Sequence, residues 1–164
     1  TAASKEKLLI SENDLSDSAQ IIVDILSRFI FEDTVFKLRK EGSLSSDELC
    51  DIMLSAQKQT YGDGLSLYHP YMWVCKPHYY DAQYNYYNFP YAFGLLLAKG
   101  LYRMYINDNS DFIPKYRKLL SLTGKASIKD TALSVGIDLS DEHFWNMSVE
   151  EIKSDIEKFM KIED

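Results

Sequence analysis

The chain has 164 residues, a net charge of −7 and a pI near 5.0. That length suits one domain able to bury roughly 70% of its unfolded surface without disulfides or metal staples. The acidic balance leaves no basic patch to displace counterions, which argues against nucleic acid or an anionic membrane as partner. The two cysteines, Cys50 and Cys75, form no CxxC pair and no disulfide framework. With no signal peptide and no long apolar run, the expected setting is cytoplasmic. The chain opens on Thr1-Ala2-Ala3-Ser4 without an initiator Met, so a piece of a longer protein is expected.

The first dozen residues are polar around Leu8-Leu9-Ile10 and read as a frayed helix end or tail. Asp14 or Ser16 can cap the helix that follows. Ile22, Leu26, Phe29 and Phe36 stripe that helix to about Lys40, with Gly42 as its stop. Ser45-Ser46-Asp47-Glu48 is a capping box opening a helix to about Thr60. Tyr61-Gly62-Asp63-Gly64 then breaks the chain into a flexible turn. Pro70 suits the first position of a short helix. Lys76, ahead of Pro77, is expected to be extended, which leaves His78 in a loop.

A tyrosine-rich stretch follows. Tyr80, Tyr84, Tyr87 and Tyr91 fall at a 4-3-4 spacing, one stripe of a helix. That helix is predicted over residues 84–106, kinked at Pro90. Gly94, Ala98 and Leu101 continue one face with small residues, which suggests close helix packing. Asn107-Asp108-Asn109-Ser110 is a turn, and a helix from about Asp111 ends before Gly124. Ser127 with Asp130 caps a short helix ending at Gly136. Ser140-Asp141-Glu142-His143 opens another turn of helix, and Ser148 with Glu151 reads as a second capping box for a last helix striped by Ile152, Ile156 and Phe159. No stretch alternates over strand length. The predicted fold is all-α, with residues 1–164 as a single helical domain.

The chemistry offered is narrow. His69, His78 and His143 make no H-E-x-x-H, and no phosphate loop, serine elbow or Cys–His signature is present. What stands out is one histidine beside several phenols. A phenol near its ordinary pKa of about 10 is protonated at neutral pH and donates a hydrogen bond. Two or three such donors around a carbonyl can stabilise a developing oxyanion. They cannot activate water without a metal or a base from elsewhere. The bland alternative is a tyrosine-rich helix packed at a domain edge.

Pro77-His78-Tyr79-Tyr80 followed by Tyr86-Tyr87-Asn88-Phe89-Pro90-Tyr91-Ala92-Phe93-Gly94 resembles the carboxy-terminal active-site segment of the oligoendopeptidase F branch of zinc metallopeptidases. Tyr80-Asp81-Ala82-Gln83-Tyr84-Asn85-Tyr86-Tyr87 resembles the tyrosine-rich loop of the related thimet oligopeptidases. Ile22-Val23-Asp24-Ile25-Leu26-Ser27-Arg28-Phe29, Tyr61-Gly62-Asp63-Gly64-Leu65 and His69-Pro70-Tyr71-Met72-Trp73 extend the resemblance over nearly the whole chain. It implies a helical channel-type peptidase that hydrolyses short peptides with zinc. By that likeness His78 binds the substrate backbone and Tyr87 donates to the oxyanion, with Tyr86 and Tyr91 as rivals for Tyr87's role. Tyr84 and Tyr80 correspond to further substrate-facing tyrosines. The zinc ligands and the general base are expected upstream of Thr1, since H-E-x-x-H is missing. The chain alone is then expected to hold no catalytic zinc and to cleave nothing. The expected partners are peptide substrates, the absent amino-terminal part of the same peptidase and, through faces left uncovered, further copies of the chain. A stand-alone helical module that binds peptides without cleaving them is the alternative.

Overall fold

A computed structural model describes residues 2–162, and the regular structure among them is entirely helical. Helix α1 (Ala2–Ala19), a π turn (Gln20–Asp24) and α2 (Ile25–Leu38) follow one another without a loop. Asp14 and Ser16 therefore cap nothing. They lie inside α1, where residues 5–19 hold neither Gly nor Pro to break the helix. After α2 the chain turns through residues 39–42, and Gly42 is not among the glycines at positive φ. The remaining helices are α3 (Ser46–Tyr61), α4 (Phe89–Asn107), α5 (Asn109–Leu122), α6 (Ile128–Leu133) and α7 (Glu142–Phe159). The chain divides into two compact units, residues 16–93 and residues 1–15 with 94–164.

In the unit of residues 16–93, α2 and α3 pack around Phe31, Met53 and Ala56. The Phe31 ring stacks near Trp73 at 6.4 Å and tilts against Tyr79 at 5.2 Å. α3 begins where the sequence indicates. The Glu48 N–H donates to Ser45 Oγ at 3.3 Å, and the Ser45 N–H donates to Glu48 Oε2 at 2.8 Å. Gly62 ends the helix at φ 57°. The buried Gln57 side chain then fixes the returning loop. Its Nε2 donates to the His69 carbonyl at 2.9 Å, and its Oε1 accepts the His69 N–H at 3.1 Å. Pro70 stays in a turn, and the 3₁₀ segment Met72–Cys75 follows it.

In the other unit, Leu119, Ala132, Val135, Ile137 and Phe144 form the core, with Leu97, Leu101 and Met104 against it. The close approach expected at Gly94 and Ala98 occurs instead at Gly100. A Cβ there would stand 2.5 Å from Phe144 Cζ, whereas one at Gly94 would meet nothing within 4 Å. α6 starts with the Asp130 N–H donating to Ser127 Oγ, as expected, and gives way to a turn closed by Gly136 at φ 84°. The turn of helix expected at residues 140–143 is the start of α7, and it runs on through the second start expected at Ser148. Its cap is Asp141, which accepts from the His143 N–H at 2.9 Å. Ser148 is fully buried in the middle of α7, donating to the Phe144 carbonyl, and Glu151 is buried against Arg103 at 3.1 Å. The Ser148–Glu151 pair is thus one stretch of helix interior and caps nothing.

Candidate functional site

The site is built within the unit of residues 16–93, from α2 on one side and the turns between α3 and α4 on the other. Lys76 is extended at φ −104° and ψ 99°, as a residue before proline must be, and Pro77 takes the first position of the 3₁₀ turn Pro77–Tyr80. Asp81 caps the next turn, Ala82–Tyr84, by accepting the Gln83 N–H at 2.9 Å. Tyr86 then reverses the chain at φ 55°, a conformation that costs a bulky side chain energy and needs outside support. α2 supplies it. The Tyr86 N–H donates to Glu32 Oε1 at 2.8 Å and its hydroxyl donates to Asp33 Oδ1 at 3.2 Å. Its ring also lies between Phe29 and Phe36, 5.6 and 5.4 Å away.

This reversal overturns the predicted helix over residues 84–106. α4 starts at Phe89, so Pro90 sits in its first turn, where a missing N–H costs nothing and no kink is required. Tyr80, Tyr84, Tyr87 and Tyr91 therefore do not share one helical stripe. Three of them still meet. Tyr84 and Tyr87 pack edge to face at 5.0 Å, and Tyr87 and Tyr91 do so at 6.1 Å.

These three phenols and His78 line a cleft of about 800 Å³, within the size range of small-molecule sites. Arg28, Lys76, Asp81 and Asn88 share its wall. Tyr80 is 63% exposed and does not line it. Tyr86, a rival for the oxyanion role, is turned to Asp33 and the α2 aromatics and does not line it either. Tyr79 packs: its ring meets Phe31 and its hydroxyl donates to the Arg28 carbonyl at 3.2 Å. His69 is also structural, its Nδ1 accepting the Tyr71 N–H at 3.2 Å.

The electrostatics favour a neutral His78. Burial lowers its pKa first, and the nearby charges of Arg28 and Lys76 lower it further. At neutral pH the ring is therefore an imidazole with one N–H. The Asn88 amide nitrogen stands 3.2 Å from His78 Nε2. An amide nitrogen can only donate, and a bare Nε2 is the partner it suits. Behind this wall runs a buried charged row from the π turn into α2. Asp24 and Glu32 are 6% and 4% exposed, with Arg28 between them and ion-paired to Asp24. Burial raises the Glu32 pKa, while the Tyr86 N–H and the Asn88 amide partly offset the rise. Burial, with the neighbouring Asp24 carboxylate, pushes the Tyr61 phenol up to about 12.

Asn88, Arg28, Asp24 and Glu32 escape a reading of the sequence. Asn88 falls inside a segment whose spacing predicts helix, and Asp24, Arg28 and Glu32 look like part of a solvated helix face. The one available signal is their i, i+4, i+8 spacing beside an apolar stripe. Among the described residues no group of three or more His, Cys, Asp or Glu side chains is placed to hold a metal ion, and no helix is long and apolar enough to cross a membrane. Compared with known proteins, the chain matches no family model, no curated protein and no solved structure.

Proposed function

We propose that the cleft binds the backbone of short peptides, and that the chain is the carboxy-terminal, substrate-facing part of a zinc-dependent oligoendopeptidase. The observation that carries the reading is the meeting of Tyr84, Tyr87 and Tyr91 with a neutral His78 around one cleft. A peptide backbone presents carbonyl oxygens at regular intervals, and each needs a donor when it leaves water. Tyr87, central in the phenol series, is the donor for the carbonyl that becomes an oxyanion. His78 donates to a neighbouring backbone carbonyl. Tyr84 and Tyr91 flank Tyr87 and bind the adjoining peptide units.

The described residues offer no ligand set for the zinc that cleavage requires. This reading assigns the metal, with the general base, to an upstream part of the protein. The same observation favours a second reading, a helical module that binds peptides and leaves them intact.

Fluorescence anisotropy with a fluorescein-labelled octapeptide pool of degenerate sequence tests the shared core of both readings. Saturable binding is expected, weakened about three- to tenfold by Tyr87→Phe, the loss of one net hydrogen bond. Absence of saturable binding to the unaltered chain overturns both. The coding sequence immediately upstream of Thr1 separates them. An in-frame H-E-x-x-H supports the peptidase, and in that intact enzyme Tyr87→Phe should lower kcat by about 10²–10³ with little change in KM. A fresh start site in place of the motif supports the binding module.

A further inference from the structure

The polar groups behind the cleft wall form a chain that ends on His78. Asn88 is 2% exposed, so its amide needs protein partners for both its nitrogen and its oxygen. Its nitrogen faces two acceptors. One is His78 Nε2, at 3.2 Å, and the other is the Glu32 carboxylate, which lies near enough for the amide to hold its proton affinity down without a well-formed hydrogen bond to its Oε2. Glu32 is itself buried and anchored by the Tyr86 N–H at 2.8 Å. Rotating the amide by 180° would set its oxygen against a carboxylate and against a ring lone pair. The carboxylate contact would then be acceptor against acceptor, in a place with little water to relieve it, while the ring could answer only by moving its proton to Nε2.

We infer that Asn88 is a positioning residue for His78: held in one orientation by Glu32, its amide fixes the imidazole as the Nδ1–H tautomer and leaves that proton as the donor the ring offers the cleft. Asn88 acts through the imidazole and transfers no proton itself. The charged and titratable groups around the ring agree with this arrangement. Arg28 on α2 and Lys76 on the turn oppose an imidazolium, Asp24 is engaged by Arg28, and Asp81 accepts from its own turn. Tyr79 packs its ring edge-on to His78 at 4.7 Å, which limits rotation of the imidazole. The meaning of the donor for a bound carbonyl rests on the peptide-binding reading. The tautomer does not.

Long-range ¹H–¹⁵N spectra of the whole chain, with the His78 resonances assigned, read the tautomer directly. The unaltered protein is expected to show His78 with Nδ1 protonated and Nε2 bare. Asn88→Asp replaces the donor with an acceptor. It should move the proton to Nε2 and shift the His78 titration midpoint upward relative to the unaltered chain. A bare Nδ1 in the unaltered protein overturns the inference, and so does an Asn88→Asp chain whose His78 keeps both its tautomer and its midpoint. If Asn88→Asp fails to fold, the spectrum of the unaltered chain still decides. Binding of the labelled octapeptide pool is scored separately: if the pool never binds, the peptide reading falls while the tautomer result alone settles the role of Asn88.

Discussion

Glu32 and His78 both neighbour the buried Asn88 amide, and folding shifts them in opposite directions. The Glu32 pKa is raised in the folded chain by burial. Its contribution to stability is therefore fully present below the unfolded value near 4.5 and is lost as pH rises through the folded pKa. The His78 pKa is lowered, so the folded state resists protonation, and stability from this group falls as pH drops below about 6.5 toward the folded value. Glu32→Gln removes the first slope and leaves the second. Urea unfolding at several pH values from 4 to 8 should show the variant gaining on the unaltered chain as pH rises. Parallel curves would contradict the burial argument. Gly100 and Gly94 give a second contrast between single residues. Gly100→Ala forces a methyl to within 2.5 Å of the Phe144 ring and should cost about 1–3 kcal/mol. Gly94→Ala meets nothing and should stabilise α4 by about 0.5–1 kcal/mol. Thermal unfolding of the two variants checks both signs.

Helix starts are legible wherever a short polar residue can be matched to the one backbone N–H it satisfies. Ser45 and Ser127 cap as their spacing indicates. Ser148 does not, because Ser-x-x-Glu also arises inside helices: Asp141 has already started α7, and the hydroxyl of Ser148 turns to its own helix. Ser45→Ala should cost about 1 kcal/mol, a cap's usual worth, and Ser148→Ala should cost less. Equal losses in thermal unfolding would contradict this division. The tyrosine stretch misleads for a different reason. A 4-3-4 spacing is necessary for a helical stripe but does not show that the residues between are helical. Pro90 marks the first turn of α4, and the reversal at Tyr86 depends on Glu32, 54 residues earlier in the chain. No local pattern reports a contact of that range. The phenols of Tyr84, Tyr87 and Tyr91 nonetheless meet, since a turn followed by a helix start can bring side chains together as a helix face does.

At the scale of the molecule, the all-α class follows from the absence of any alternating stretch, and the described residues are helical without strands. The division into two compact units leaves no mark in composition, since no linker-like run separates residues 16–93 from the rest. In the unit of residues 16–93, Leu26, Phe29 and Phe36 remain 47%, 40% and 38% exposed on α2. Apolar surface of that kind favours association. Sedimentation velocity should show an average mass rising with concentration from the 19.0 kDa of one chain, and a constant monomer at high concentration would contradict it.

The cleft and its occupant are tested most directly by titrating the ¹⁵N-labelled chain with the degenerate octapeptide pool and following the backbone amide resonances. Saturable shifts centred on His78, Tyr84, Tyr87, Asn88 and Tyr91, and weakened by Tyr87→Phe, are the predicted result. Shifts centred on α5 to α7, or no saturable shift at all, would contradict a peptide-binding cleft.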